Sequence, residues 1–177
     1  IYTKIKSASS SSTPLAIYTT CAVTLHVPST RNYVLGKSLA IFAPKGIFLT
    51  GNTNFAKSSG LGATTNPDLY LIVPSTKKTG GTVTCKKLAT GTQTGDITMH
   101  NGAAINAPIA SLLYTPCSIS MTGAATSEGQ VYAGTAFSPK NGMKFATPLL
   151  VPGAIGATGG ATTSSLTVGV IYEREYS

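Results

Sequence analysis

Acidic side chains are almost missing from this chain. The five are Asp68, Asp96, Glu128, Glu173 and Glu175, and charged residues of both signs make up only 10% of the sequence. Glycoside hydrolysis needs two carboxylates a set distance apart, and two of these five sit together near the C-terminal end. A Ser–His–acid triad needs a base oriented by a carboxylate. His26 and His100 are the only histidines; Asp96 lies four residues before His100, but the two flank a predicted strand of no special pattern. Cys21, Cys85 and Cys117 form no C-x-x-C pair and no Cys/His ligand spacing, which argues against structural zinc. The Gly-rich stretch Gly153 to Gly160 lacks the Gly-Lys-Ser/Thr ending of a phosphate loop. No run of 18 apolar residues exists to span a bilayer. Gly, Pro, Ser and Thr interrupt every window of about a dozen residues, so no convincing helix is expected. No enzymatic activity, cofactor or small-molecule substrate is expected of such a sequence.

What remains is apolar and β-prone. Hydrophobic residues account for 42%, and Ile, Val and Thr recur in short runs, a balance opposite to that of a disordered chain. A chain of 177 residues buries roughly 70% of its unfolded surface when folded as one domain. Thirteen Lys and Arg give a net charge of +8, which favours anionic partners. The densest basic cluster is Lys77, Lys78, Lys86 and Lys87. It flanks Thr79-Gly80-Gly81-Thr82, a hairpin-like turn, and is the candidate site for an anionic polymer, DNA or a cell-wall glycopolymer. Binding of that kind is non-specific and salt-sensitive. The run Ser7 to Ser12 followed by Thr13-Pro14 reads residues 1–16 as a linker or N-terminal arm, with a single β domain over 17–177. The chain starts at Ile1, which suggests a processed or truncated form.

A repeat organises the β domain. Tyr18-Thr-Thr-Cys-Ala-Val-Thr-Leu25, Phe42-Ala-Pro-Lys-Gly-Ile-Phe-Leu49 and Tyr114-Thr-Pro-Cys-Ser-Ile-Ser-Met121 share one pattern. It runs aromatic, small, Pro or Thr, two variable positions, β-branched, variable, then Leu or Met. Two copies continue into Thr50-Gly51 and Thr122-Gly123. The separation between the first two copies is one period, and between the last two it equals three. Weaker echoes are Asp68 to Pro74, Ile97 to Met99, Gln130 to Phe137 and Met143 to Phe145. A short parallel β-solenoid fits this period, with like strands stacked in parallel and alternate side chains sharing one interior. Val23 and Leu25, Ile47 and Leu49, and Ile119 and Met121 are the expected inward pairs; Thr24, Phe48 and Ser120 face out, Phe48 uncomfortably so. Leu166 to Glu173 alternates as a longer flanking strand. The alternative is a β-sandwich jelly roll, as in a viral capsid protein, supported by size, charge and the Ser-rich arm.

The segments Tyr114-Thr-Pro-Cys117, Gly129-Gln-Val-Tyr-Ala-Gly134 and Pro148-Leu-Leu-Val-Pro152, with the ending Val170-Ile-Tyr-Glu-Arg-Glu175, carry a resemblance. Over roughly residues 38–175 the chain resembles an exported actinobacterial family of minor-pilin-like, Tad-type pilus-associated proteins. The resemblance implies an N-terminal membrane helix lying outside this chain, a β-solenoid-like ectodomain and no catalytic residues. It implies a non-enzymatic structural or adhesive role at the cell surface, with other pilus or surface subunits as partners. A Cys85–Cys117 or a Cys21–Cys117 disulfide suits an exported protein. A basic module that captures DNA for an uptake pilus is a further alternative.

Overall fold

In the computed structural model, residues 5, 13–26, 32–74, 85, 94–139, 143–145 and 170–171 are described. They form an all-β protein. Its strands are β1 (Leu15–Tyr18), β2 (Val23–Leu25), β3 (Asn32–Leu35), β4 (Leu39–Phe42), β5 (Ile47–Leu49), β6 (Asn54–Lys57), β7 (Asp68–Ile72) and β8 (Ile97–Met99). They continue as β9 (Ala104–Ile105), β10 (Ala110–Thr115), β11 (Ser118–Met121), β12 (Ser127–Ala133), β13 (Ala136–Ser138), β14 (Met143–Phe145) and β15 (Val170–Ile171).

Three sheets contain them. The seven-stranded sheet has the order β14-β12-β10-β7-β4-β1-β15, the five-stranded sheet β13-β11-β8-β5-β2, and the three-stranded sheet β3-β6-β9. All strand pairs among the described residues are parallel. Followed along the sequence, the chain visits the seven-stranded sheet, then the five-stranded, then the three-stranded, and returns to the first. Among the described residues it does this three times, and later passes add to the third sheet a single bridge, Ala104 to Thr126. A jelly roll is two antiparallel sheets, so the sandwich alternative is wrong. Short corners, not hairpins, join these strands, and a chain turning corners in one sense returns parallel to itself.

The register reproduces the sequence repeat. Val23 pairs with Ile47, Ile47 with Ile97, Ile97 with Ile119, and Ile119 with Phe137. Leu25, Leu49, Met99 and Met121 form a second ladder, and Ile17, Ile41, Leu71, Leu113 and Val131 a third. These rows meet in one interior, where Ile41, Ile47, Leu49, Leu71, Ile97, Met99 and Ile119 are fully enclosed. From the third sheet, Tyr33 stacks on Phe55 with ring centres 5.0 Å apart. The spacing of the copies does not follow simple multiples, however. Three periods between the second and third copies would need two intermediate passes, and the structure has one, carrying β7 and β8. The long connection between β7 and β8 makes up the difference.

Phe48 does face outward, as expected, but it is half-buried. A Cβ added at Gly46 would stand 3.2 Å from its ring; the bare glycine leaves room for the ring to lie down. Gly129 has a tighter constraint. Its φ is +143°, and an added Cβ would overlap the backbone carbonyl oxygen of Ser111 on β10, so β12 can approach β10 only with glycine there. The second corner is a stacked set of turns: the N–H groups of Thr53, Ala103 and Ala125 donate to the carbonyls of Thr50, His100 and Thr122.

The N-terminal boundary also shifts. β1 begins at Leu15, inside the segment read as an arm, and Ile5 is buried in the main core at 2% exposure. Of the expected flanking strand Leu166 to Glu173, Val170 and Ile171 are described; they pair with Ala16 and Ile17 beside β1. Among the described residues no helix is long and apolar enough to cross a membrane.

Candidate functional site

The outer face of the seven-stranded sheet carries the most unusual surface. Its middle row reads Ala16, Ala40, Tyr70, Leu112 and Gln130 across β1, β4, β7, β10 and β12. Ala40, Tyr70 and Leu112 are buried there and form a second apolar cluster, with Ala16, Phe42 and Ile72 packed against it. The next row outward reads Tyr18, Phe42, Ile72, Tyr114 and Tyr132. Tyr18, Tyr114 and Tyr132 are 45%, 40% and 50% exposed. Only one other large apolar side chain is as open among the described residues, Val34 on β3. A soluble surface scatters such residues singly; here three fall on one register line.

Polar groups edge this strip. The Tyr70 hydroxyl donates to Asp68 Oδ2 at 3.4 Å, and the backbone N–H of Asp68 donates to Ser38 Oγ at 3.0 Å. Burial raises the Asp68 carboxyl above the usual carboxylate range, against the lowering effect of the Tyr70 hydrogen bond. Burial, then the Asp68 charge and hydrogen bond, push the Tyr70 phenol up to about 12. Tyr132 Oη donates to Gln130 Oε1 at 3.5 Å. The outward positions of β1, β4, β7, β10 and β12 include Asp68 and Glu128 and neither Lys nor Arg. On β14, next in the sheet, Lys144 pairs in register with Glu128.

The residues singled out in the sequence fare differently. Lys77, Lys78, Lys86 and Lys87 lie outside the described residues. Cys85 is bonded to Cys117, with Cα atoms 5.7 Å apart, and Cys21 is a free, exposed thiol, so the Cys21–Cys117 alternative is wrong. Cys21 lies on the first pass and Cys117 on the fourth, so the two are separated along the stacking direction. His26 Nδ1 meets the Thr50 hydroxyl at 2.8 Å, and both histidines are exposed. No group of three His, Cys, Asp or Glu is gathered as for a metal among the described residues.

Sequence reasoning missed the tyrosine row, although its members opened every copy of the repeat. The aromatic and the β-branched positions of a copy sit on either side of a corner. Strand alternation cannot be counted through a corner, so the side on which Tyr18 or Tyr114 points was not legible. Comparison with protein-family models, with curated proteins and with solved structures finds no match.

Proposed function

We propose that this chain is a parallel β-solenoid serving as a non-enzymatic structural or adhesive domain on the cell surface, in the manner of a minor, pilus-associated subunit. The observation that carries the reading is the cyclic order of the strands: the chain passes the three sheets in turn, and like positions stack in register from Val23 to Phe137. Such a body is a rigid spacer with long, flat sides, suited to presenting a surface more than to enclosing a substrate. The Cys85–Cys117 bond supports export, since disulfides persist in oxidising compartments. The exposed tyrosine row supplies a contact face, because Tyr offers large amphipathic area at low entropic cost.

Antibodies raised against the purified chain provide the test, applied to intact cells of the organism that encodes it. Labelling of surface filaments without permeabilisation, with the chain recovered in sheared filaments, is the expected outcome. Labelling that needs permeabilised cells would end the reading.

A further inference from the structure

We infer that the outer face of the seven-stranded sheet binds an uncharged polysaccharide chain lying along the stacking direction, across the row Tyr18, Phe42, Ile72, Tyr114 and Tyr132. This rests on the surface-domain reading and names the ligand class for it.

Shape comes first. The row is one side chain wide and crosses five neighbouring strands, which at ~4.8 Å per strand makes it about 19 Å long. A stable protein partner covers roughly 800 Å² on each side, far more than a single file of rings. An extended peptide would seek unpaired backbone groups at a sheet edge, whereas β4, β7, β10 and β12 are paired on both sides. The occupant that matches a narrow, straight, evenly stepped strip is a linear polymer with flat repeating units.

Chemistry narrows the polymer. Three exposed phenol rings offer apolar faces and edges with a hydroxyl at the tip, which suits the C–H faces and hydroxyls of sugar rings. Beside the row, Gln130 is buried and accepts from the Tyr132 hydroxyl, and the phenol hydroxyls themselves can donate to and accept from sugar hydroxyls. The five residues of the row and the five of the row beside it carry no charge of either sign, so an anionic polymer gains no ion pair along the strip. The strip therefore favours an uncharged polymer over the acidic ones that the net charge of the whole chain attracts. Bases of a nucleic acid stack on such rings too, but their phosphates require Lys and Arg, and neither the tyrosine row nor the row beside it holds one.

Electrophoresis of the full chain through native gels containing dextran, hydroxyethyl cellulose or arabinoxylan tests the proposal, with heparin and polygalacturonate gels alongside. At least one uncharged polymer should retard the chain, equally with and without added salt. Replacing both Tyr114 and Tyr132 with Ala should weaken that retardation by about tenfold or more. The paired Tyr114→Phe and Tyr132→Phe variant, which keeps the rings, should retain most of it. A thermal melt of each variant separates lost binding from lost folding, and the Phe pair remains informative if the Ala pair does not fold. Free passage through all three uncharged gels overturns the inference, as does undiminished retardation of a folded Ala pair. Retardation by the acidic polymers alone, abolished by salt, overturns it in favour of an electrostatic site. If the gels are negative while antibodies label surface filaments, the glycan inference fails alone; the reverse pattern removes the surface reading and leaves the strip.

Discussion

At the scale of single residues, the outer face keeps one ionisable pair half out of water. Tyr70 is 8% exposed and its phenol titrates at about 12 instead of 10.0. A pKa raised by folding means that the folded state holds its proton while the unfolded state releases it. Stability from this source is complete below pH 10 and declines as pH rises from there toward 12. Urea midpoints measured across that range should fall more steeply for the wild type than for Tyr70→Phe. Equal slopes would show that Tyr70 is not the group responsible. Asp68 acts with the same sign at the acid end: its raised carboxyl favours folding most below the ordinary aspartate value of 3.8 and loses that contribution as pH rises through its folded value. Lys57 shows a different use of a charge. Its ammonium donates to the carbonyls of Gly62 and Ala63 and to Asn66 Oδ1, at 2.8, 3.3 and 3.0 Å, and so gathers the connection ahead of β7 onto the end of β6.

At the scale of elements, one connection is long and is fastened. The segment from Val73 to Asp96 interrupts the otherwise short passages between the first two sheets, and Cys85 within it is tied to Cys117, just before β11. The bond closes a span of 32 residues, for which loop entropy predicts a stabilisation of about 3–4 kcal/mol. The double variant Cys85→Ser/Cys117→Ser should lose stability of that order, and added reductant should lower the melting temperature of the wild type but not of the variant. A wild-type melt indifferent to reductant would refute the tether. The same connection explains what the sequence could and could not disclose. The ladders Val23–Ile47 and Ile119–Ile97 were legible because side-chain type must match where strands stack in register. The number of passes was not, because an inserted segment leaves every ladder intact while it spoils the period. The third sheet left a fainter trace: Asn32-Tyr33 and Asn54-Phe55 pair residue for residue, but two-residue similarity does not stand out in a chain so rich in small polar side chains.

At the scale of the whole molecule, stability is spread along a stack in which each pass touches mainly its neighbours. Ile97 lies at the centre, with Ile47 on one side and Ile119 on the other, and has no exposed surface. Ile97→Ala should cost about 3 kcal/mol in chemical denaturation. Ser138→Ala, on the exposed edge strand β13, should stay within about 0.5 kcal/mol. Comparable losses at both positions would contradict a core carried by the central ladders.

The three sheets have seven, five and three strands, so among the described residues the stack sheds its walls in sequence. The early passes have three sides, later ones two, and β14 only one. Such a taper gives the molecule a heel and a toe. At the heel β15 already covers β1 in the largest wall, so among the described residues only β2 and β3 leave their walls open there, and the two ends present different cross-sections to another copy.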